Sequence, residues 1–158
     1  MSNDLSDKFC EMYAKQYPNK IVFITANRKC YAGTCRNIAL DYPIDCKYVW
    51  AIDGDDYLAT VDALARVYAY AKNEKYDAIF FNGYRNINNR LVKINRDPIC
   101  LSTFTGCDPQ YHWLKVAKPS VFTRYLDNCM VGQDLYHSYL FLDKIKTYIN
   151  IKDCLYVY

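Results

Sequence analysis

Residues 49–58, V-W-A-I-D-G-D-D-Y-L, constrain this chain more than any other stretch. Residues 48–52 are mostly β-branched or aromatic, which predicts a buried strand. That strand runs straight into Asp53, Gly54, Asp55 and Asp56. Three carboxylates in four positions repel one another, so the end of the strand calls for positive charge. A divalent cation held by hard oxygen ligands is the usual source. In open α/β sheets ligands bind outside the carboxyl ends of the strands, where these acids lie. The competing account is an acidic turn that caps a helix beginning near Thr60.

Length and composition narrow the setting. The 158 residues suffice for one domain, 1–158, with a single core. Apolar residues make up 52% and charged residues 23%, so a globular rather than disordered chain is expected. The seventeen tyrosines suit the edges of clefts, since each carries a polar end on an apolar ring. A net charge of +3 is too small to argue for a nucleic-acid partner. Apolar runs are only a few residues long, so no transmembrane helix is expected. The polar, acidic start M-S-N-D-L-S-D does not read as a signal peptide, which makes a cytoplasmic protein the expectation. The cysteines at 10, 30, 35, 46, 100, 107, 129 and 154 form no C-x-x-C pair, and the chain has two histidines. No zinc spacing results, and reduced, mostly buried thiols are expected.

Periodicity then orders the chain. Residues 6–17 predict a helix with Leu5, Phe9, Met12, Tyr13 and Tyr17 on one face and Ser6 as N-cap. Residues 20–25 predict a buried strand, and Gly33 opens a short helix through Arg36, Asn37 and Leu40. Residues 60–72 predict a further helix, with Ala63, Leu64, Val67, Tyr68 and Ala71 at helical spacing. Residues 78–82 predict a strand, and Ile87-Asn88-Asn89-Arg90 a hairpin turn. Later residues predict a loop over 98–110, a short apolar segment at 112–116, and a helix from Pro119 through Phe122 and Leu126. A helix from Asp134 and closing strands at 148–151 and 155–158 complete the pattern. Alternating strands and helices argue for an α/β fold, a mostly parallel sheet flanked by helices.

Five motifs then fall in order: Cys35-Arg36-Asn37, Ile52-Asp53-Gly54-Asp55-Asp56, Trp113-Leu114-Lys115-Val116, Gly132-Gln133-Asp134 and Leu155-Tyr156-Val157-Tyr158. In these the chain resembles family-two glycosyltransferases with a GT-A (Rossmann-like) fold, especially the bacterial and phage type that builds surface polysaccharides. Gln133 stands where the family carries Glu, and Tyr31 where many members have Gly. The resemblance begins inside the loop that follows the family's second strand. It implies a truncated GT-A domain lacking the N-terminal strands that hold the nucleotide base, and hence an open sheet edge beside residues 20–25 that a second chain or a rearranged terminus covers.

The resemblance also implies roles. Asp53 and Asp55 would hold Mn²⁺ or Mg²⁺, Asp53 aiding through the donor ribose or bound water, and Arg36 would pair with the donor diphosphate, although an ordinary surface salt bridge suits Arg36 nearly as well. Asp134 would be the general base of an inverting transfer. Trp113, Lys115 and Asp56 would lie on the acceptor side, although Trp113 suits a core and Asp56 a helix cap equally well. Asp134 would also be favoured in a first helical turn by the helix dipole alone. His137, one turn on, fits a structural histidine better than a third metal ligand. The implied function is transfer from a nucleotide-diphosphate sugar to a glycan or glycolipid acceptor. A non-catalytic relic that binds a sugar or a protein is the alternative reading. Glycosylation of a modified DNA base finds little support in the weak positive charge.

Overall fold

The computed structural model describes residues 4–43, 45–94 and 113–158. Among them, four helices accompany a five-stranded mixed sheet. The helices are α1 (Ser6–Gln16), α2 (Ala32–Asp41), α3 (Ala63–Ala71) and α4 (Gln133–Lys144). The strands are β1 (Tyr57–Leu58), β2 (Ala78–Ile87), β3 (Arg90–Ile94), β4 (Lys115–Ala117) and β5 (Tyr148–Val157). The sheet runs β1-β5-β2-β3, with β4 also on β2.

β2 is the organising strand. Its side chains alternate, so Ile79 and Phe81 enter one core while Ala78 and Phe80 enter the other. The first core joins them to Ala63, Val67 and Ala71 of α3 and to Trp113, Leu155 and Tyr156. The second joins them to Val121 and to Phe141 and Leu142 of α4. Each large apolar side chain so buried contributes roughly 1.5–3 kcal/mol. The α/β layering is therefore as expected, but the mostly parallel sheet needs correction. Only β2 and β5 pair in parallel; β1–β5, β2–β3 and β2–β4 are antiparallel. The β2–β3 link explains one of these: Asn88 and Asn89 turn at φ of 51° and 62°, and a two-residue turn can join only antiparallel strands.

Other expectations shift in detail. Residues 20–25 form no strand and join no ladder among the described residues. Residues 48–52 make one antiparallel bridge, Val49 to Ala117, rather than a strand. Hydrogen bonds in both directions hold that bridge, at 2.7 and 3.0 Å. The helix expected from Thr60 starts at Ala63, and its buried stripe is narrower, since Leu64 and Tyr68 face solvent. Ser6 lies inside α1, and its N–H donates to Asp4 Oδ1 at 2.9 Å. The helix expected from Pro119 through Leu126 does not form. Asn37 takes the backbone of Tyr125 instead, accepting from its N–H at 2.8 Å and donating to its carbonyl at 2.9 Å. That clamp imitates a strand ladder and competes with helical hydrogen bonds. The two closing strands are one, β5, whose register against β2 shifts near Asn82. The expected buried thiols are corrected too: the six described cysteines are free, and each is exposed or partly exposed. The loop expected at 98–110 and His112 lie outside the described residues. No helix among the described residues is long and apolar enough to cross a membrane.

Candidate functional site

The 53–56 turn is built from beneath. Asp56 N–H donates to the Asp53 carbonyl at 3.2 Å, which closes the turn. Tyr156 of β5 then fastens it: its hydroxyl accepts from Asp53 N–H at 3.0 Å and donates to Asp56 Oδ2 at 2.6 Å. Tyr156 is itself held by stacking on Trp113, with centroids 4.7 Å apart. Burial, together with its hydrogen bond to Asp56, pushes the Tyr156 phenol well above its ordinary value. Burial also raises the Asp56 carboxyl, against the pull of the Tyr156 hydrogen bond.

Across from this turn stands α2, positioned by Asn37. That side chain also donates to Asp127 Oδ1 at 2.9 Å, and Thr34 Oγ1 accepts from Asn128 N–H at 3.1 Å. α2 therefore cannot rotate without breaking contacts on both sides. Arg36 consequently points at the acids: Nη2 lies 2.5 Å from Asp53 Oδ1 and Nη1 3.0 Å from Asp134 Oδ1. Its guanidinium carbon lies 5.1 Å from the centroid of the Tyr125 ring, within cation–π range. Asp134 reaches the same spot because Gly132, at φ +82°, turns the chain into α4 in a conformation that other residues rarely adopt. Burial raises the Asp134 carboxyl above the usual carboxylate value, while Arg36 pulls it back.

The structure thus unites Arg36, Asp53 and Asp134, which are far apart in sequence, with Asp55 and Asp56 on the adjoining turn. Trp113 and Lys115 sit elsewhere. Trp113 is buried, with Tyr156 and Tyr158 stacked on it, and its carbonyl accepts from Trp50 Nε1 at 2.9 Å. Lys115 is buried with its ammonium 5.0 Å from the Phe141 ring. Both are buried among the described residues, and the Lys115 charge acts on Asp134. Tyr125, Asn37 and Tyr156 carry the site without having been singled out as site residues. Asn37 and Tyr156 lie inside the Cys-Arg-Asn and Leu-Tyr-x-Tyr motifs, which was the available signal.

His137 is structural, as the residue pattern suggests. It is fully buried, stacks on Tyr125 at 4.1 Å, and its Nδ1 meets Thr123 Oγ1 at 3.0 Å. Burial, with the Lys115 charge, lowers its pKa to about 3. Because the folded value lies below the unfolded value of about 6.5, the unfolded chain takes up the proton first. Stability from this group is therefore complete above about pH 6.5 and is lost as pH falls toward 3, by up to about 1.4 kcal/mol per pH unit. Urea midpoints measured across that window should fall more steeply in the natural protein than in His137→Asn; equal slopes would refute this.

An open groove of about 660 Å³ runs from Arg36 along residues 48–52, lined also by Leu40, Phe122 and Tyr125. Among the described residues, no three His, Cys, Asp or Glu side chains gather as a ready-made metal-ligand set. Asp53 and Asp55 share one turn, with Asp53 paired to Arg36, and a cation that keeps waters and phosphate oxygens needs only one or two protein carboxylates.

No protein-family model matches the chain. The minor teichoic acid biosynthesis protein GgaB of Bacillus subtilis (strain 168) is 27% identical over 176 residues, covering 99% of this chain but 18% of GgaB. The crystal structure of S. aureus TarS 1–349 in complex with UDP-GlcNAc superposes with a TM-score of 0.78 at 16% identity, over 99% of this chain and 46% of that one. The same TarS segment in complex with UDP gives a TM-score of 0.73. The chain thus spans about a fifth of GgaB and under half of the TarS segment. With its mixed sheet and flanking helices, the chain has the fold of the matched part of the TarS segment.

Proposed function

We propose that this domain transfers a sugar from a nucleotide-diphosphate donor to a glycan or glycolipid acceptor in surface-polysaccharide assembly, acting in the cytoplasm. One observation carries the reading: Arg36, Asp53 and Asp134 converge on one spot at the head of the groove, across 98 residues of sequence. A guanidinium suits diphosphate oxygens, and an Asp whose affinity for protons is raised by burial suits a general base. The likeness to GgaB and to a TarS segment crystallised with UDP-GlcNAc supports the same substrate class. In this reading Asp53 and Asp55 hold Mn²⁺ or Mg²⁺, which supplies charge to neutralise the leaving diphosphate. Arg36 orients the diphosphate. Asp134 takes the proton of the acceptor hydroxyl as it attacks from the face opposite the leaving group, so configuration inverts. Tyr156 keeps the acidic turn in place.

Thermal shift with UDP tests donor binding. Stabilisation is expected only when Mn²⁺ or Mg²⁺ is present, because ligands that bind the native state stabilise it by mass action. Asp55→Asn should abolish the shift while leaving the melting temperature without ligand nearly unchanged. No metal-dependent shift with UDP, nor with the guanosine, thymidine and cytidine diphosphates, would overturn donor binding by this chain. A shift without turnover on a donor–acceptor panel would favour the binding-module reading.

We further propose that a second copy of this chain covers the apolar surface presented by α1 and residues 22–24. Phe9 of α1 is 55% exposed and Val22 49%, and the neighbouring Leu5, Met12, Tyr13 and Ile24 are exposed with them. Apolar side chains exposed together in this way invite a partner. Light scattering should give a multiple of 18.6 kDa, reverting to that mass in Phe9→Glu/Val22→Glu. A natural protein that stays monomeric at tens of micromolar would refute it.

A further inference from the structure

We propose that Arg36 couples the donor end of this site to its acceptor end, as a positioning residue for Asp134. The inference rests on the transferase reading above. Its basis is that one guanidinium serves both carboxylates, through Nη2 to Asp53 at 2.5 Å and Nη1 to Asp134 at 3.0 Å. The fork is rigid and planar, and the Tyr125 ring at 5.1 Å confines it from one side. Asn37, the next residue, locks α2 to the backbone of Tyr125, so the arginine cannot follow a ligand by moving its helix. Its answer to a ligand must come from exchanging partners.

A diphosphate placed on Arg36 needs the same N–H groups that now hold Asp53 and Asp134. It competes with both. When it takes the Nη1 arm, Asp134 loses a hydrogen bond that occupies a carboxylate lone pair, and that lone pair becomes available to an acceptor hydroxyl. Before the donor arrives, the base stays engaged; after it arrives, the base is released. Donor before acceptor is the resulting order. Linkage makes the coupling reciprocal: if diphosphate loosens Asp134, then Asp134 must weaken diphosphate.

A double-mutant cycle on binding reads this without catalysis. Inorganic pyrophosphate at fixed Mg²⁺ is titrated by calorimetry into the natural protein, Asp134→Asn, Arg36→Gln and the double variant. Asp134→Asn should tighten pyrophosphate about 5-fold or more when Arg36 is present, and should change nothing in the Arg36→Gln background. Arg36→Lys, whose point charge cannot bridge two directions, gives a second background that keeps the charge; there the gain should shrink. An equal gain in all three backgrounds would mean simple long-range repulsion and would overturn the coupling, as would no gain in the natural background. If Arg36→Gln binds pyrophosphate as tightly as the natural protein, the diphosphate does not sit on Arg36, and the donor-site reading falls with the inference.

Discussion

Asp134→Asn is expected to slow sugar transfer by about 100- to 10,000-fold, the usual contribution of a positioned general base. Asparagine keeps the shape of the side chain and can still meet Arg36, so the fold should hold. It cannot accept a proton. The loss should therefore fall on kcat, with UDP binding kept or improved, because the interaction removed is one that matters only as the hydroxyl attacks. The raised carboxyl adds a check. Burial lifts Asp134 above the usual carboxylate value, so the acid limb of the natural enzyme's rate profile should lie above the usual carboxylate range. That limb should disappear from the residual rate of Asp134→Asn. A variant that keeps its rate, or loses UDP binding with it, would remove Asp134 from the role of base.

Gly33→Ala carries the largest expected effect on stability. Gly33 is buried where α2 meets the 125–126 backbone and Gln133. An added Cβ would lie 2.2 Å from Gln133 Oε1, 2.6 Å from the Leu126 carbonyl and 3.2 Å from Tyr125 Cβ. The glutamine is a side chain, but it is buried and has little room to retreat. The carbonyl is backbone, next to the residue that Asn37 clamps. Overpacking of this kind costs roughly 1–3 kcal/mol, sometimes more. Because the displaced helix carries Arg36, pyrophosphate and UDP binding should weaken as well. Gly54→Ala is the control, since an added Cβ there meets nothing within 4 Å. Its urea midpoint should correspond to a change within about 0.5 kcal/mol. Equal midpoints for the two variants would show that the close approach of α2 is not a constraint.

The acidic turn, the four helices and the Asn88-Asn89 hairpin were legible in the sequence because each rests on local physics. Apolar residues three and four apart mark a helix, and paired asparagines tolerate the positive φ that a tight hairpin needs. The charge cluster was legible only as residue types in ordered motifs; Arg36, Asp53 and Asp134 meet because the fold brings them together. The same local pattern misled where long-range partners competed. Residues after Pro119 favour a helix on their own, yet two hydrogen bonds from Asn37 hold Tyr125 as a strand neighbour would. Trp113 read as well as a core residue as a contact for a sugar, and its packing against Tyr156 and Tyr158 leaves it buried. Strand direction was also beyond sequence reading, because an apolar run has the same pattern in a parallel or an antiparallel pair. The amino-acid sequence by itself determined the elements, the acidic turn and the chemistry available at it. Only tertiary structure decided which charges share one guanidinium, since that depends on how α2 and α4 dock against the 53–56 turn.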